Sequence, residues 1–286
     1  MILTAPAKVN LYLRVISRRE DGYHEIETLF ERVSLFDRVS IEPAEDRTII
    51  SCDDEKVPTD GDSLMARTVD AFRDRTGEKG HFRIGLEKNI PVSAGLGGGS
   101  SDAAALLKGL NELTGSPLED NSLRDIGAVL GADIPFFLSD CSFALGTGRG
   151  DVISVVDTET SIRHIIVTPP FGVSTKDIYD KASAFDLTEE RGVDRIITAF
   201  LKENDAKNIA ENLRNDLQQI VLRDFPVLEE VISELREAGA QGVLLSGSGP
   251  TVFGIFGRTE AIQAEKLIRQ AFRAEEGWRI FAAKTC

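Results

Sequence analysis

The stretch Pro91-Val92-Ser93-Ala94-Gly95-Leu96-Gly97-Gly98-Gly99-Ser100-Ser101-Asp102 runs straight into Ala103, Leu106, Leu107, Leu110 and Leu113, whose spacing is helical and stops at Gly115, with Pro117 beyond. A glycine-dense loop that opens onto a helix N-terminus can aim successive backbone N–H groups at an anion, and the helix adds its partial positive charge. Because the donors are backbone groups, such a phosphate cradle works inside an acidic protein. It is not a Walker A loop, since no Gly-Lys-Ser/Thr follows at the required spacing, and no GxGxxG fits. The plainer alternative is a flexible connector with a serine cap, yet four glycines in five positions carry an entropy cost that a connector has no reason to bear.

Toward the N-terminus, Val9, Leu11, Leu13 and Val15 alternate with Lys8, Asn10, Tyr12 and Arg14, which predicts a half-buried strand with Lys8 and Asn10 on its polar face. In isolation such a face means only solvent exposure. The turn pair Asp21-Gly22 enters a second strand-rich stretch from Tyr23 through Ile41. There Tyr23-His24 offers an aromatic face beside a hydrogen-bonding ring, with core packing as the alternative. Toward the C-terminus, Asp133 sits in Gly131-Ala132-Asp133-Ile134-Pro135-Phe136-Phe137, just after a helix stopped by Gly131. Apolar flanks would desolvate the carboxylate and suit a general base; a turn Asp before an extended Ile-Pro is the alternative. Gly146 to Gly150 reads as a turn with Arg149 a weak phosphate contact, and His164, in an apolar strand, as a satisfied core histidine.

A loose segment, Thr168 to Glu190, contains Pro169-Pro170 and Gly172, and a domain boundary is placed just before it, dividing the chain into 1–158 and 159–286. The second part reads as strand Ile162–Val167, helix Val227–Ala238 stopped by Gly239, and strands Val243–Leu245 and Val252–Phe256 around Ser246-Gly247-Ser248-Gly249-Pro250. Helix Thr259–Phe272 and strand Trp278–Ala282 follow. That order suggests a ferredoxin-like antiparallel sheet, and the whole is α+β.

With 286 residues the chain makes one large domain or two, and 42% hydrophobic against 28% charged residues exclude disordered and collagen-like classes. The balance 33 − 47 gives −14 at pH 7, which argues against nucleic acid or an anionic membrane as partner. Cys52, Cys141 and Cys286 form no CxxC pair, Met1 to Lys8 shows no targeting pattern, and the longest uncharged stretch, Gly242–Gly257, is broken by glycine and proline. A cytoplasmic protein with a small-molecule substrate is expected; the oligomeric state is left open.

Taken together, these segments resemble the GHMP kinase superfamily. Its three motifs stand in order as Ala5-Pro6-Ala7-Lys8-Val9-Asn10-Leu11, Pro91 to Ser101, and Leu245-Ser246-Gly247-Ser248-Gly249-Pro250-Thr251-Val252-Phe253. Lys8-Val9-Asn10-Leu11, Asp21-Gly22-Tyr23-His24, the glycine loop and Gly131 to Phe137 look like the members that act on cytidine-diphospho-methylerythritol. The resemblance implies an N-terminal ribosomal protein S5 domain 2-like domain, a C-terminal ferredoxin-like domain, and transfer of the ATP γ-phosphoryl group to the 2-hydroxyl of that substrate with Mg²⁺. It implies Asp133 as base, Lys8 as the cation that steadies charge and orients Asp133, and Asn10 at the acceptor end. Tyr23 and His24 would hold the cytosine, with Thr175 and Tyr179 on its other side. Pro91, Val92, Ser93, Ala94, Gly95, Leu96, Gly97, Gly98, Gly99, Ser100 and Ser101 would take the phosphates, and Lys88, with Ser63 and Leu64, the adenine pocket. Ser100 or Ser101 could contribute to the metal, whose protein ligands are otherwise unassigned. Homoserine or mevalonate kinase, and a nucleotide-binding sensor without chemistry, are the competing readings; neither of the two acceptors has a base for Tyr23-His24 to hold, and a sensor has no need of Lys8 and Asp133.

Overall fold

The computed structural model describes residues 1–182, 197, 206–273 and 276–286. Two long strands, β1 (Ile2–Arg18) and β2 (His24–Ala44), pair antiparallel from Ile2↔Ser40 to Arg18↔His24 across the tight turn at Asp21-Gly22. Gly22 takes φ 85° there, a conformation that favours glycine. β2 is long enough to serve two neighbours. Its first half pairs with β5 (Phe143–Thr147), which continues to β6 (Val152–Val155), and its second half with β4 (His81–Glu87), flanked by β3 (Ile49–Cys52). One face of this sheet is covered by α1 (Leu64–Thr76), α2 (Gly98–Leu113), α3 (Asp120–Leu130) and the short α4 (Ile134–Leu138), around a core that includes Phe30, Phe72, Leu106 and Phe136.

The other face of β1 packs against a second sheet. Its four strands are β7 (Arg163–Thr168), β9 (Gly242–Leu245), β10 (Val252–Phe256) and β11 (Arg279–Lys284), all antiparallel in the order β11-β7-β10-β9. Numbered within this unit the order is 4-1-3-2, the ferredoxin-like arrangement that the sequence predicts. Val9, Leu11, Ile166 and Phe253 share the core between the sheets. Helices α8 (Val227–Glu237) and α9 (Glu260–Ala271) close the far side, α8 packing its Leu235 and α9 its Ile268 into one core with Ile165 and Val167. In between lie α5 (Thr175–Ala182), α6 (Ala206–Glu211) and α7 (Gln218–Asp224). The two-residue strand β8 (Arg214–Asn215) crosses back to pair with Tyr12 and Leu13 of β1, so the second half of the chain adds a strand to the first sheet.

Four expectations change. The alternation in β1 predicts one wet face, but Ala7 through Leu13 are all buried, because the second sheet covers the apolar face and the cleft elements cover the polar one. The glycine stretch is only half a loop: Gly98 to Asp102 already form the first turns of α2. Ile134-Pro135 is the start of α4, with Asp133 at its N-cap, where proline is tolerated because the first N–H groups lack intrahelical acceptors. Of the loose Thr168–Glu190 segment, Thr175–Ala182 is helical and 183–190 lies outside the described residues.

Candidate active site

A cleft of about 1080 Å³ opens where β1, the Asp21-Gly22 turn, the glycine loop, α4, α5 and the β9–β10 turn meet. At its centre the Lys8 ammonium lies 2.7 Å from Asn10 Oδ1 and 3.4 Å from Asp133 Oδ2. Asn10 is itself fixed: its Nδ2 donates to Thr28 Oγ1 (2.8 Å), which donates to the Tyr12 carbonyl (2.7 Å) beside the register shift of β1. The Lys8 stem is held between Gly97 and the Phe30 ring, 5.6 Å from the ammonium. A Cβ at Gly97 would lie 3.0 Å from both Lys8 Cγ and Phe137, and Gly97 has φ 71°, so glycine is required twice over. Asp133 departs from the desolvated site predicted for it. Its apolar neighbours Ile134, Phe136 and Phe137 turn into the core, while its own side chain faces the cleft and stays 31% exposed.

The glycine loop is braced from behind by the second Gly/Ser loop. Ser246 Oγ donates to the Gly95 carbonyl (2.9 Å), the Lys8 amide donates to the Leu96 carbonyl (2.9 Å), and a Cβ at Gly95 would collide with the Ser246 carbonyl. Ser246 to Thr251 is thus a hairpin turn and also a support for the loop. Leu96 is buried away from the cleft as an anchor, whereas residues 91–95 and 97–100 line it. Helix geometry leaves the amides of Gly98, Gly99 and Ser100 without intrahelical acceptors, so this rim can bind an anion. Of the two serines only Ser100 lines the cleft; Ser101 is buried and its hydroxyl has no hydrogen-bond partner.

Beneath Gly98 lies Lys88. Its ammonium donates to Asp102 Oδ2 at 2.6 Å and to Asp37 Oδ2, all three side chains being almost wholly buried. Burial alone would depress the Lys88 pKa, but the two carboxylates outweigh it and hold the ammonium charged. One cation cannot satisfy two acids. Burial, with the Asp37 charge adding and Lys88 opposing, pushes the Asp102 carboxyl up to about 7. Of the residues expected at the adenine pocket, Leu64 and Lys88 line the cleft, Lys88 with its ammonium held by the two aspartates, whereas Ser63 caps α1 by accepting from the Ala66 amide.

At the opposite end stands Tyr23, 56% exposed, which excludes the core reading. The Arg149 guanidinium lies 5.0 Å over its ring and is anchored by Asp151 (Nε 3.0 Å) and the Ala128 carbonyl (2.9 Å), an engagement different from the phosphate contact predicted for it. His24 is buried beside Tyr179, with ring centroids 5.3 Å apart and 36° between planes. Burial, helped by the Arg18 charge, lowers the His24 pKa and favours the neutral ring. Burial and the Asp133 and Asp216 charges raise the Tyr179 phenol, which stays protonated. Thr175 Oγ1 meets Ser248 Oγ at 2.8 Å, tying α5 to the β9–β10 turn. His164 is buried in the core as expected but only half satisfied: its Nε2 lies 2.9 and 3.0 Å from the two buried Glu31 oxygens, while its Nδ1 has no hydrogen-bond partner.

The structure thus brings Lys8, Asn10, Tyr23, His24, Lys88, Asp133, Thr175, Tyr179 and the glycine loop into one cleft. Sequence reasoning missed Thr28, Asp37 and Asp102. Asp102 carried a signal, since it closes the glycine stretch; Thr28 and Asp37 carried none.

Comparison with known proteins agrees with this layout. The family description "GHMP kinases N terminal domain" matches residues 63–140, and "GHMP kinases C terminal" matches 196–274. A 4-diphosphocytidyl-2-C-methyl-D-erythritol kinase of Syntrophotalea carbinolica is 40% identical over 283 residues, covering 98% of this chain and 97% of the relative. One from Caldicellulosiruptor bescii is 40% identical over 271 residues, with 94% of each chain covered. A crystal structure of 4-(cytidine 5'-diphospho)-2C-methyl-D-erythritol kinase superposes with TM-score 0.82 at 35% identity, covering 99% of this chain and 98% of the other. A mevalonate kinase structure shares the fold at TM-score 0.75 and 16% identity, over 100% of this chain and 99% of the other. The chain therefore belongs to the GHMP kinases, among the 4-diphosphocytidyl-2-C-methyl-D-erythritol kinases.

Proposed function

We propose that the protein transfers the γ-phosphoryl group of ATP to the 2-hydroxyl of 4-diphosphocytidyl-2-C-methyl-D-erythritol, a step of non-mevalonate isoprenoid synthesis. The observation that carries this reading is the Lys8–Asp133 pair, lying in one cleft with an anion-binding helix terminus and with the Tyr23, His24 and Tyr179 rings. Phosphoryl transfer asks a protein chiefly for positioning and charge stabilisation. The rim amides of Gly98 to Ser100 hold the phosphates of ATP. Asp133 accepts the proton of the acceptor hydroxyl, and Lys8, held by Asn10, orients that carboxylate and steadies charge on the transferring group. Tyr23 stacks on the cytosine, His24 hydrogen-bonds its edge, and Tyr179 borders its other side, while Thr175 positions α5 through Ser248. An acceptor without a base, such as homoserine or mevalonate, leaves these rings unused, and a sensor without chemistry leaves Lys8 and Asp133 unexplained.

The oxygens present suit Mg²⁺, a hard cation that is bound through one or two protein oxygens together with substrate phosphates and water. Ser100, on the cleft wall, and Asp102 Oδ1, buried without a hydrogen bond, are the protein oxygens at hand. When bound, the ion neutralises phosphate charge. Among the described residues no helix is long and apolar enough to cross a membrane, and a cytoplasmic enzyme with a small-molecule substrate is the setting proposed. We place the domain boundary at 158/159, in the gap between Val155 and Arg163 that separates the two sheets. ADP release measured with the cytidyl substrate, mevalonate and homoserine side by side tests the reading; turnover of either small acceptor at a rate equal to that of the cytidyl substrate refutes it.

A further inference from the structure

A second concave surface of about 460 Å³ lies between the end of the second sheet and the first turns of α9, sharing no lining residue with the cleft. Arg163 of β7 is the direct cross-strand partner of Lys284 of β11. Alternation places both on the face of Ile165 and Val167, whose side chains join the core under α8 and α9. Ala282, opposite Ile165, is the floor of the groove; Ala261, Ile262 and Glu265 of α9 are its wall; and Arg258 enters from the turn before the helix. Glu265 Oε1 accepts from Arg269, at 2.9 and 3.0 Å, so the charge of this one acid on the groove wall is balanced within α9.

Three cations therefore converge on one groove. Among the described residues none of Arg163, Arg258 and Lys284 forms an ion pair or a side-chain hydrogen bond, in a chain with 47 acidic residues and a net charge of −14. Like charges directly opposite on an antiparallel pair are destabilising. A multiply charged anion seated between them turns that repulsion into attraction, and local conflict of this kind is what a binding site leaves in a fold. The volume suits a small molecule, and arginine forks match phosphate oxygens. Ile262, 65% exposed, adds an apolar contact beside the charges. We infer that this groove is a second binding site, distinct from the cleft, for a small phosphoryl-bearing anion.

The test is calorimetric titration of inorganic diphosphate, and separately of orthophosphate, into the full chain with the cleft saturated by ADP and CDP. The expected result is one saturable site for diphosphate, a dissociation constant that rises with salt, and a diphosphate-dependent rise in melting temperature. R163Q/K284Q should weaken binding at least tenfold and lose that rise, while its own melting temperature stays at or above the wild-type value because the repulsion is gone. R258Q, at an exposed position, should weaken binding at least threefold. Orthophosphate binding sensitive to the same variants identifies a single phosphoryl group as the unit recognised. Absence of saturable binding by either anion, or binding that R163Q/K284Q and R258Q leave unchanged, overturns the inference.

Discussion

Replacing Lys88 by methionine removes the ammonium that joins β4, β2 and the start of α2 and keeps most of the side-chain volume. Asp37 retains two donors, the amides of Asn89 (2.6 Å) and Ile90 (2.8 Å), whereas Asp102 loses the one hydrogen bond it has. Breaking a buried ion pair from one side costs about 3–5 kcal/mol. For a chain of this size that corresponds to a fall of roughly 6–10 °C in melting temperature. The penalty depends on pH. The Asp102 pKa of about 7 lies above the ordinary aspartate value of 3.8, so the folded state holds this proton more tightly than the unfolded one. That contribution is complete below about pH 4 and is lost as pH rises through about 7. Lys88→Met removes the charge that opposes the upward shift, so the Asp102 carboxyl of the variant rises further; the loss is smaller at pH 5, where both proteins hold the proton, and larger at pH 8, where the wild type releases it at little cost and the variant does not. Thermal melts at pH 5 and pH 8 should show the larger drop at pH 8, and adding Asp102→Asn should recover more than half of it. A Lys88→Met protein that melts within 2 °C of wild type at pH 8 would refute the account.

Asp133→Asn should leave the melting temperature unchanged and lower kcat by roughly 10²- to 10⁴-fold, the usual contribution of a general base; steady-state rates near wild type would remove Asp133 from the chemistry. Tyr23→Ala should raise the KM for the cytidyl substrate by roughly 5- to 150-fold, the equivalent of about 1–3 kcal/mol of base stacking, with kcat little changed because the base is remote from the reacting hydroxyl. The exposed ring makes little contribution to the fold, so an unchanged KM with a lowered melting temperature is the result that ends the stacking role. Gly97→Ala should cost about 1–2 kcal/mol of backbone strain at φ 71° and displace Lys8, seen as a kcat reduced at least tenfold with cytidyl-substrate affinity retained in calorimetry. Asp102→Asn should flatten the decline of stability between pH 5 and pH 8, which urea titrations across that range would follow.

What the sequence determined by itself is local. The helix after the glycine stretch, the turn at Asp21-Gly22, and the strand and helix order of the second half follow from periodicity and from glycine and proline placement, which act over a few residues. The glycine motif also marked the candidate anion site, because the freedom it needs is a property of the residue type. Tertiary structure decided everything that depends on which surface covers which. Lys8 and Asn10 read as a wet strand face, and only the return of Phe30, Gly97 and the β9–β10 turn onto β1 makes that face the interior of a cleft. Asp133 read as desolvated because its neighbours are apolar, but a helix N-cap sends the carboxylate one way and the phenylalanines the other. Tyr23 could have been a core residue until its position at the hairpin tip exposed it over Arg149. The Lys88 cluster draws on Asp37, 51 residues away, and Asp102, 14 residues away, on separate elements. No spacing rule links such positions, since their meeting is set by the packing of α2 on the first sheet and not by the chain between them.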